Sequence, residues 1–347
     1  MTTSDAITLT PDTAGWLWHG WLDWTRDDEW WQPWRLPPAR VGLAGSADLT
    51  AGARAPVGVR AALRTDAARL ALCVDYQPGP YPRPLDVCVG DVLVARHHLT
   101  EGPATISVDL PAGSNDVDVW LPHGGWARVG ALRLTGATTA EAPARRHRWV
   151  TYGSSITRSG KSAGPSETWP ALVARRHDWD LTCLGFSGEC HLDPLVARAI
   201  RDRPADLISL CVGINIHGSS SLNRRTLASF LSGFVDTIRD GHPDTPVVVI
   251  SPLLSPPNED TPSAAGMTLR DLRDQVAATV ADLVGVGDTR LRLIDGLTIL
   301  GPGDEEFLAD GVHPTSDGYR LLADRLSPQL ARAARSSVHT EQVGDPR

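Results

Sequence analysis

Lysine is almost absent from this chain. Of its 33 basic residues one is Lys161 and the others are all arginine. Alongside the frequent alanines, that fits a gene of high GC content and says little about chemistry. Positive charge is in the minority: 41 acidic residues leave a net charge of −8. That balance argues against nucleic acid or an anionic membrane surface as partner. No apolar run approaches the ~20 residues needed to span a bilayer. The first residues, Met1 to Ile7, lack a basic start followed by an apolar core, so no signal peptide is read and a cytoplasmic location is expected. Cysteines number five, an odd count, and are scattered, which fits reduced thiols better than a disulfide framework. Cys183, Cys190 and His191 match no common zinc spacing, so no metal is expected. Internal repeats and low-complexity tracts are also missing.

What is present divides the chain. At 347 residues, 41% apolar and 21% charged, it is long enough for two soluble domains. All twelve tryptophans lie in the first 179 residues, seven of them between Trp16 and Trp34. Residues 38–137 carry short runs with period-two alternation, such as Leu70-Ala71-Leu72-Cys73-Val74 and Asp116 to Trp120, separated by turn residues. This predicts an antiparallel β-sandwich over 1–140. Gly136 to Arg145 reads as a linker. From 146 to 335 apolar strands alternate with amphipathic helices. Strands are expected near 148–152, 180–185, 206–211, 246–251 and 291–295, and helices near 167–178, 193–202, 223–240, 267–285 and 316–335. Leu227, Phe230, Leu231, Phe234 and Ile238 share one face of the third helix. Regular β-α alternation predicts a flavodoxin-like, doubly wound parallel sheet, with ligands at the carboxyl ends of its strands. Residues 336–347 read as a disordered tail.

Four segments after strand ends carry chemistry. Tyr152-Gly153-Ser154-Ser155-Ile156-Thr157 delivers a glycine and two serines into a sharp exit, which is also how an ordinary helix cap reads. Asp310-Gly311-Val312-His313-Pro314 places an acid three residues before a histidine. A base beside a serine hydroxyl, and an acid to orient that base, is the minimum for acyl transfer through a serine ester. Gly188 and Asn215 follow the second and third strands. They offer a backbone N–H and a side-chain amide to a developing oxyanion.

In this order the segments resemble the SGNH or GDSL family of serine esterases and acyltransferases. The resemblance covers 148–330 and implies the SGNH hydrolase fold, with Ser155 as nucleophile and His313 as base. It also implies that the Ser155 N–H joins Gly188 and Asn215 in the oxyanion hole. The stretch from Trp149 to Pro170 is similar to an actinobacterial subgroup that places a β-sandwich before the catalytic domain and includes an acyl-transferring member. Two positions depart from the family pattern: Ser154 replaces the usual Asp before the nucleophile, and Ile216 follows Asn215 where Asp is common. Ser154 therefore competes with Ser155 on sequence alone, and the family register favours Ser155.

Other features have two readings. The Trp-rich segment is either sandwich packing or a sugar-stacking surface. Arg158 is a candidate for a substrate anion or for a carboxylate at a helix start. His217 is a candidate pocket-lining residue. The Pro-rich loop 252–260 is a candidate rim or lid. The expected activity is ester hydrolysis on a small sugar or natural product. Transfer to a hydroxyl acceptor is the alternative, and a silent carbohydrate-binding protein the more distant one. No cofactor is called for.

Overall fold

The computed structural model describes residues 6–79, 83–144 and 146–335. The expected tail at 336–347 lies outside the described residues. Two compact units share the chain, and neither is one uninterrupted stretch. Residues up to Arg146 are joined by Ser162–Ala171 and Asp180–Cys183; His147–Lys161, Leu172–Trp179 and Leu184 onward form the other. Among the described residues no helix is long and apolar enough to cross a membrane.

The first unit is an antiparallel β-sandwich. One sheet runs in the order Asp23–Asp27, Trp30–Trp34, Trp126–Thr135, Arg69–Gln77, Gly102–Asp109, with Ile7–Leu9 paired to Trp126–Thr135. The other runs Ala140–Glu141, Arg60–Thr65, Asn115–Trp120, Leu85–Val89, Val92–His97, with Trp18–His19 paired to Arg60–Thr65. Period-two alternation does what it should. Leu70, Leu72 and Val74 are fully buried, and the first two join Val87, Val117, Val119, Leu132 and Leu134 in a core.

Two local expectations change. Short helices, Pro38–Val41 and Ala47–Arg54, interrupt the region read as strands. Ser46 caps the second by accepting the Leu49 N–H at 3.0 Å. The segment read as a linker is lashed down: Asp66 accepts the N–H groups of Thr138 (2.8 Å) and Thr139 (2.9 Å), and Ala140–Glu141 adds a short strand. Arg60, in the strand Arg60–Thr65, is 1% exposed. It is stacked on Trp120 and paired with Asp180 at 2.9 Å.

A five-stranded sheet, all of it in the second unit except Asp180–Cys183, consists of β1 (His147–Gly153), β2 (Trp179–Gly185), β3 (Leu207–Cys211), β4 (Val247–Ile250) and β5 (Leu291–Ile294). Its order is β2-β1-β3-β4-β5, and β1/β3, β3/β4 and β4/β5 pair in parallel. This is the doubly wound, flavodoxin-like order. Every residue of β3 and β4 is buried, as covering on both faces demands. The winding reverses beside β1, so the carboxyl ends of β1 and β3 flank the crevice where such folds hold ligands. The helix Arg224–Arg239 buries Leu227, Leu231, Phe234 and Ile238, but Phe230 is 43% exposed. The helical stripe is thus narrower than its apolar residues suggested.

A buried carboxylate organises one rim of the sandwich unit. Asp86, 0% exposed, accepts Arg96 Nε at 2.7 Å and Nη2 at 2.9 Å. It also accepts the Ser166 hydroxyl (2.6 Å) and N–H (3.1 Å). Asp86→Ala strands those donors. It is expected to cost about 3–5 kcal/mol, read as a lowered urea midpoint, and an unchanged midpoint would refute this account of the rim.

Candidate active site

The nucleophile's turn is built by close approach. A Cβ on Gly153 would lie 2.1 Å from Thr157 Oγ1 and 3.0 Å from the Cys211 carbonyl, so only glycine ends β1 this way. Ser154, 1% exposed, caps the short helix Ser155–Arg158 by accepting the Ile156 N–H at 3.1 Å. Ser154 is the cap, and Ser155 Oγ lies 2.8 Å from His313 Nε2.

His313 arrives on a tight loop. The Ala309 N–H donates to the His313 carbonyl at 2.8 Å, Leu308 bridges Pro314, and Gly311 has φ +76°. Ser255 donates its hydroxyl to the Gly311 carbonyl at 2.8 Å. Asp310 folds the turn onto itself. Its Oδ1 accepts the N–H groups of Val312 (3.1 Å) and His313 (2.8 Å), while Oδ2 sits 2.9 Å from His313 Nδ1. The imidazole is thus held between a carboxylate and a serine hydroxyl.

Lys161 was not singled out from the sequence. Its Nζ lies 3.0 Å from Asp310 Oδ2, and Ser316 donates its hydroxyl to the Lys161 carbonyl at 2.9 Å. The only available signal was its rarity, since it is the chain's single lysine. Burial alone would raise the Asp310 carboxyl. The His313 N–H, the Lys161 ammonium and the His313 ring together outweigh burial and hold it well below the usual carboxylate range. Asp310 therefore stays charged wherever a histidine can be neutral.

The other expected site residues lie in the helix Ser155–Arg158 and after the ends of β2 and β3. The turn after β2 is tied to β1 by the Phe186 N–H on the Gly153 carbonyl at 2.9 Å. Its Ser187 has φ +58°, and Gly188 is exposed beyond it. Asn215 lies in the first turn of the helix Ile214–Ser219, and its Oδ1 accepts the Cys190 N–H at 3.2 Å. That bond fixes the amide's sense and turns its N–H₂ away from Cys190. Arg158 donates to Ser187 Oγ at 2.7 Å, so part of its guanidinium braces the turn before Gly188. His217 is 6% exposed and bonds through Nε2 to the Thr261 carbonyl at 2.9 Å. It ties down a loop and does not present that nitrogen to a pocket. The 252–260 loop is pinned too: Arg273, 6% exposed, donates to the Pro252 carbonyl (2.9 Å) and pairs with Glu259 (2.8 Å). That makes it a fixed rim.

Burial pushes the Cys190 thiol far up and the Cys211 thiol to about 12, which leaves neither a nucleophile at neutral pH. A recess of about 10 Å³, room for roughly one water, is lined by Ile156, Ile214, Pro252, Leu254 and Val312. Three of these residues adjoin Ser155, Asn215 and His313 in sequence.

Residues 151–321 match the GDSL-like lipase/acylhydrolase family. The whole chain is similar to the salicylyl-acyltransferase SsfX3 of a tetracycline biosynthetic pathway. The two are 33% identical with a TM-score of 0.85, over 98% of this chain and 99% of that one. At the level of fold it also resembles a protein assigned as a GDSL-like lipase from Bacteroides ovatus (17% identity, TM-score 0.77, 95% and 98% covered). A family two carbohydrate esterase from Clostridium thermocellum follows at 15% identity and TM-score 0.61, with 80% and 93% covered. No curated protein matches.

Gly213 sits at φ +119°, and a Cβ there would lie 2.4 Å from Pro252 Cγ. Gly213→Ala should strain the turn that launches Asn215, at a cost of about 1–3 kcal/mol. Hydrolysis of p-nitrophenyl acetate should fall with it. Full activity and stability in this variant would show that the turn tolerates the side chain.

Proposed function

The chain belongs to the GDSL-like lipase/acylhydrolase family, and we propose that it is a serine esterase opening small esters through an acyl-Ser155 intermediate. The observation that carries this reading is the unbroken relay, 2.8 Å from Ser155 Oγ to His313 Nε2 and 2.9 Å from His313 Nδ1 to Asp310 Oδ2. His313 takes the hydroxyl proton as Oγ attacks the ester carbonyl. The ester's π electrons move onto its oxygen, which the N–H groups of Ser155, Gly188 and Asn215 receive. Collapse breaks the C–O bond, and His313 gives its proton to the departing alcohol. Water then enters, His313 takes one of its protons, and the acyl group leaves as a carboxylic acid. Asp310 holds the imidazole's orientation and stabilises its cation. The small apolar recess beside these residues favours a short acyl group, such as acetyl. The partners are a small-molecule ester and water.

A second reading, transfer of the acyl group to a hydroxyl acceptor, is favoured by the full-length likeness to a salicylyl-acyltransferase. One experiment separates the two. The protein and Ser155→Ala are mixed with p-nitrophenyl acetate, following p-nitrophenol release and intact mass together. Sustained release that vanishes in the variant supports the esterase. Release of about one equivalent, with a persisting acetyl on Ser155, supports transfer. Unchanged release in the variant would overturn the nucleophile.

Lys161 gives the relay a pH signature. The charges bearing on Asp310 are His313 and Lys161. Arg158 is engaged by Ser187, and Asp317, next to Ser316, pairs with Arg320. Lys161→Met removes positive charge from the carboxylate, which then stabilises the imidazolium more strongly. The acid limb of kcat/KM should move to higher pH by about 0.1–0.7 unit, from about 0.2–1 kcal/mol for an exposed pair at about 1.4 kcal/mol per unit. Lys161→Arg should hold the limb in place. An unmoved limb in Lys161→Met would reduce Lys161 to a surface tether.

A further inference from the structure

We propose that the β-sandwich unit carries a ligand site of its own, for a single six-membered ring bearing a carboxylate. The site follows from strand periodicity. Trp30, Gln32 and Trp34 alternate with the core residue Trp31, so they share the face of their sheet turned away from the core. Trp126 and Arg128 stand on the neighbouring strand, and Arg54 ends the helix Ala47–Arg54. With Thr25, Arg26 and Asp27 they line a cavity of about 180 Å³. A cavity of about 150 Å³ accepts benzene, so one ring fits.

The cavity wall is an alternating stack. The Arg128 guanidinium lies over Trp30 (5.9 Å) and Trp126 (5.8 Å), and that of Arg54 over Trp126 (4.5 Å) and Trp34 (5.7 Å). Such a ladder could serve packing alone. Two observations go beyond packing. Arg128 is neutralised by Asp75 at 2.9 Å and Asp27 at 3.1 Å, whereas no described residue supplies Arg54 with a carboxylate or a hydrogen bond to its guanidinium. The Arg54 charge is also disfavoured first by burial and then by Arg128.

The second observation is Gln32, 4% exposed. Its Nε2 faces three carbonyls, those of Pro33 (2.8 Å), Arg54 (3.1 Å) and Ala127 (3.4 Å). This fixes the amide's sense and leaves Oε1, buried, with no donor. A cation lacking an anion and an acceptor lacking a donor, both beside indole walls, describe the missing partner. It is a ring to stack on tryptophan, with a carboxylate for Arg54 and a hydroxyl for Gln32. An aromatic carboxylate and a uronic sugar share that chemistry.

The test titrates the full-length protein by calorimetry with benzoate and glucuronate, each beside its neutral counterpart, benzyl alcohol and glucose. At least one carboxylate should bind at millimolar or lower concentration, its neutral counterpart roughly tenfold more weakly, and Arg54→Gln should lose roughly tenfold in affinity. Preference for benzoate assigns an aromatic ligand, and preference for glucuronate a sugar. Because Arg54→Gln also removes a rung of the ladder, a second measurement uses the unaltered protein. Modification of Arg54 by phenylglyoxal, mapped by peptide mass spectrometry, should slow when the bound carboxylate is present. Neutral rings binding as well as carboxylates, no binding by either carboxylate, or unprotected Arg54 would each overturn the site and leave a packing ladder.

Discussion

The Asp310 carboxylate is the group on which the candidate site depends. It accepts two backbone N–H groups from its own loop, the ring of His313 and the ammonium of Lys161. The first pair of bonds shapes the turn, and the third aims the imidazole. Loop geometry and base orientation thus come from one side chain, so the base cannot drift without the turn opening. A neutral side chain of the same size could accept the two N–H groups. It would lose the charge that keeps an imidazolium stable beside it.

The sheet supplies what that carboxylate cannot. Parallel order β2-β1-β3-β4-β5 brings the ends of β1, β2 and β3 side by side, and Ser155, Gly188 and Asn215 each leave from one of them. The chain then has to turn sharply while packed against a neighbour, which Gly153 and Gly213 permit for different reasons. Gly153 meets Thr157 and the Cys211 carbonyl, and Gly213 combines positive φ with Pro252 against it. Bonds between turns complete the register, as when Phe186 donates to the Gly153 carbonyl and Cys190 to Asn215.

Legibility in the sequence tracked how local each signal was. The strand–helix alternation of the second unit could be read because burial on both faces leaves runs such as Val247–Ile250. The relay could be read because Asp310 and His313 are three residues apart and Ser155 follows a strand end. Lys161 could not: its partner is far along the chain, and a lone lysine in arginine-rich text looks like codon bias. The helix Ala47–Arg54 lay inside a region read as short strands separated by turn residues, and its own Gly52 fits that punctuation. Ala140–Glu141 is too short to show any period. Arg60 is enclosed by Trp120 and by Asp180, a partner far along the chain that no local pattern signals. Phe230 kept helical spacing with its neighbours, but spacing cannot say how wide the contacted stripe is.

In the proposed mechanism hydrolysis and transfer use the same relay, so the choice between them lies in what reaches His313 once the acyl group is on Ser155. The side chain of His313 is 35% exposed and that of Asp310 43%. Solvent therefore stands at the base in the resting site, and the Arg273–Glu259 pair pins the adjoining rim. A transferase with this relay would need its acceptor bound well enough to displace that water before deacylation. An esterase needs nothing further. In the proposed mechanism the exposure of the relay favours hydrolysis, and transfer requires an acceptor that binds.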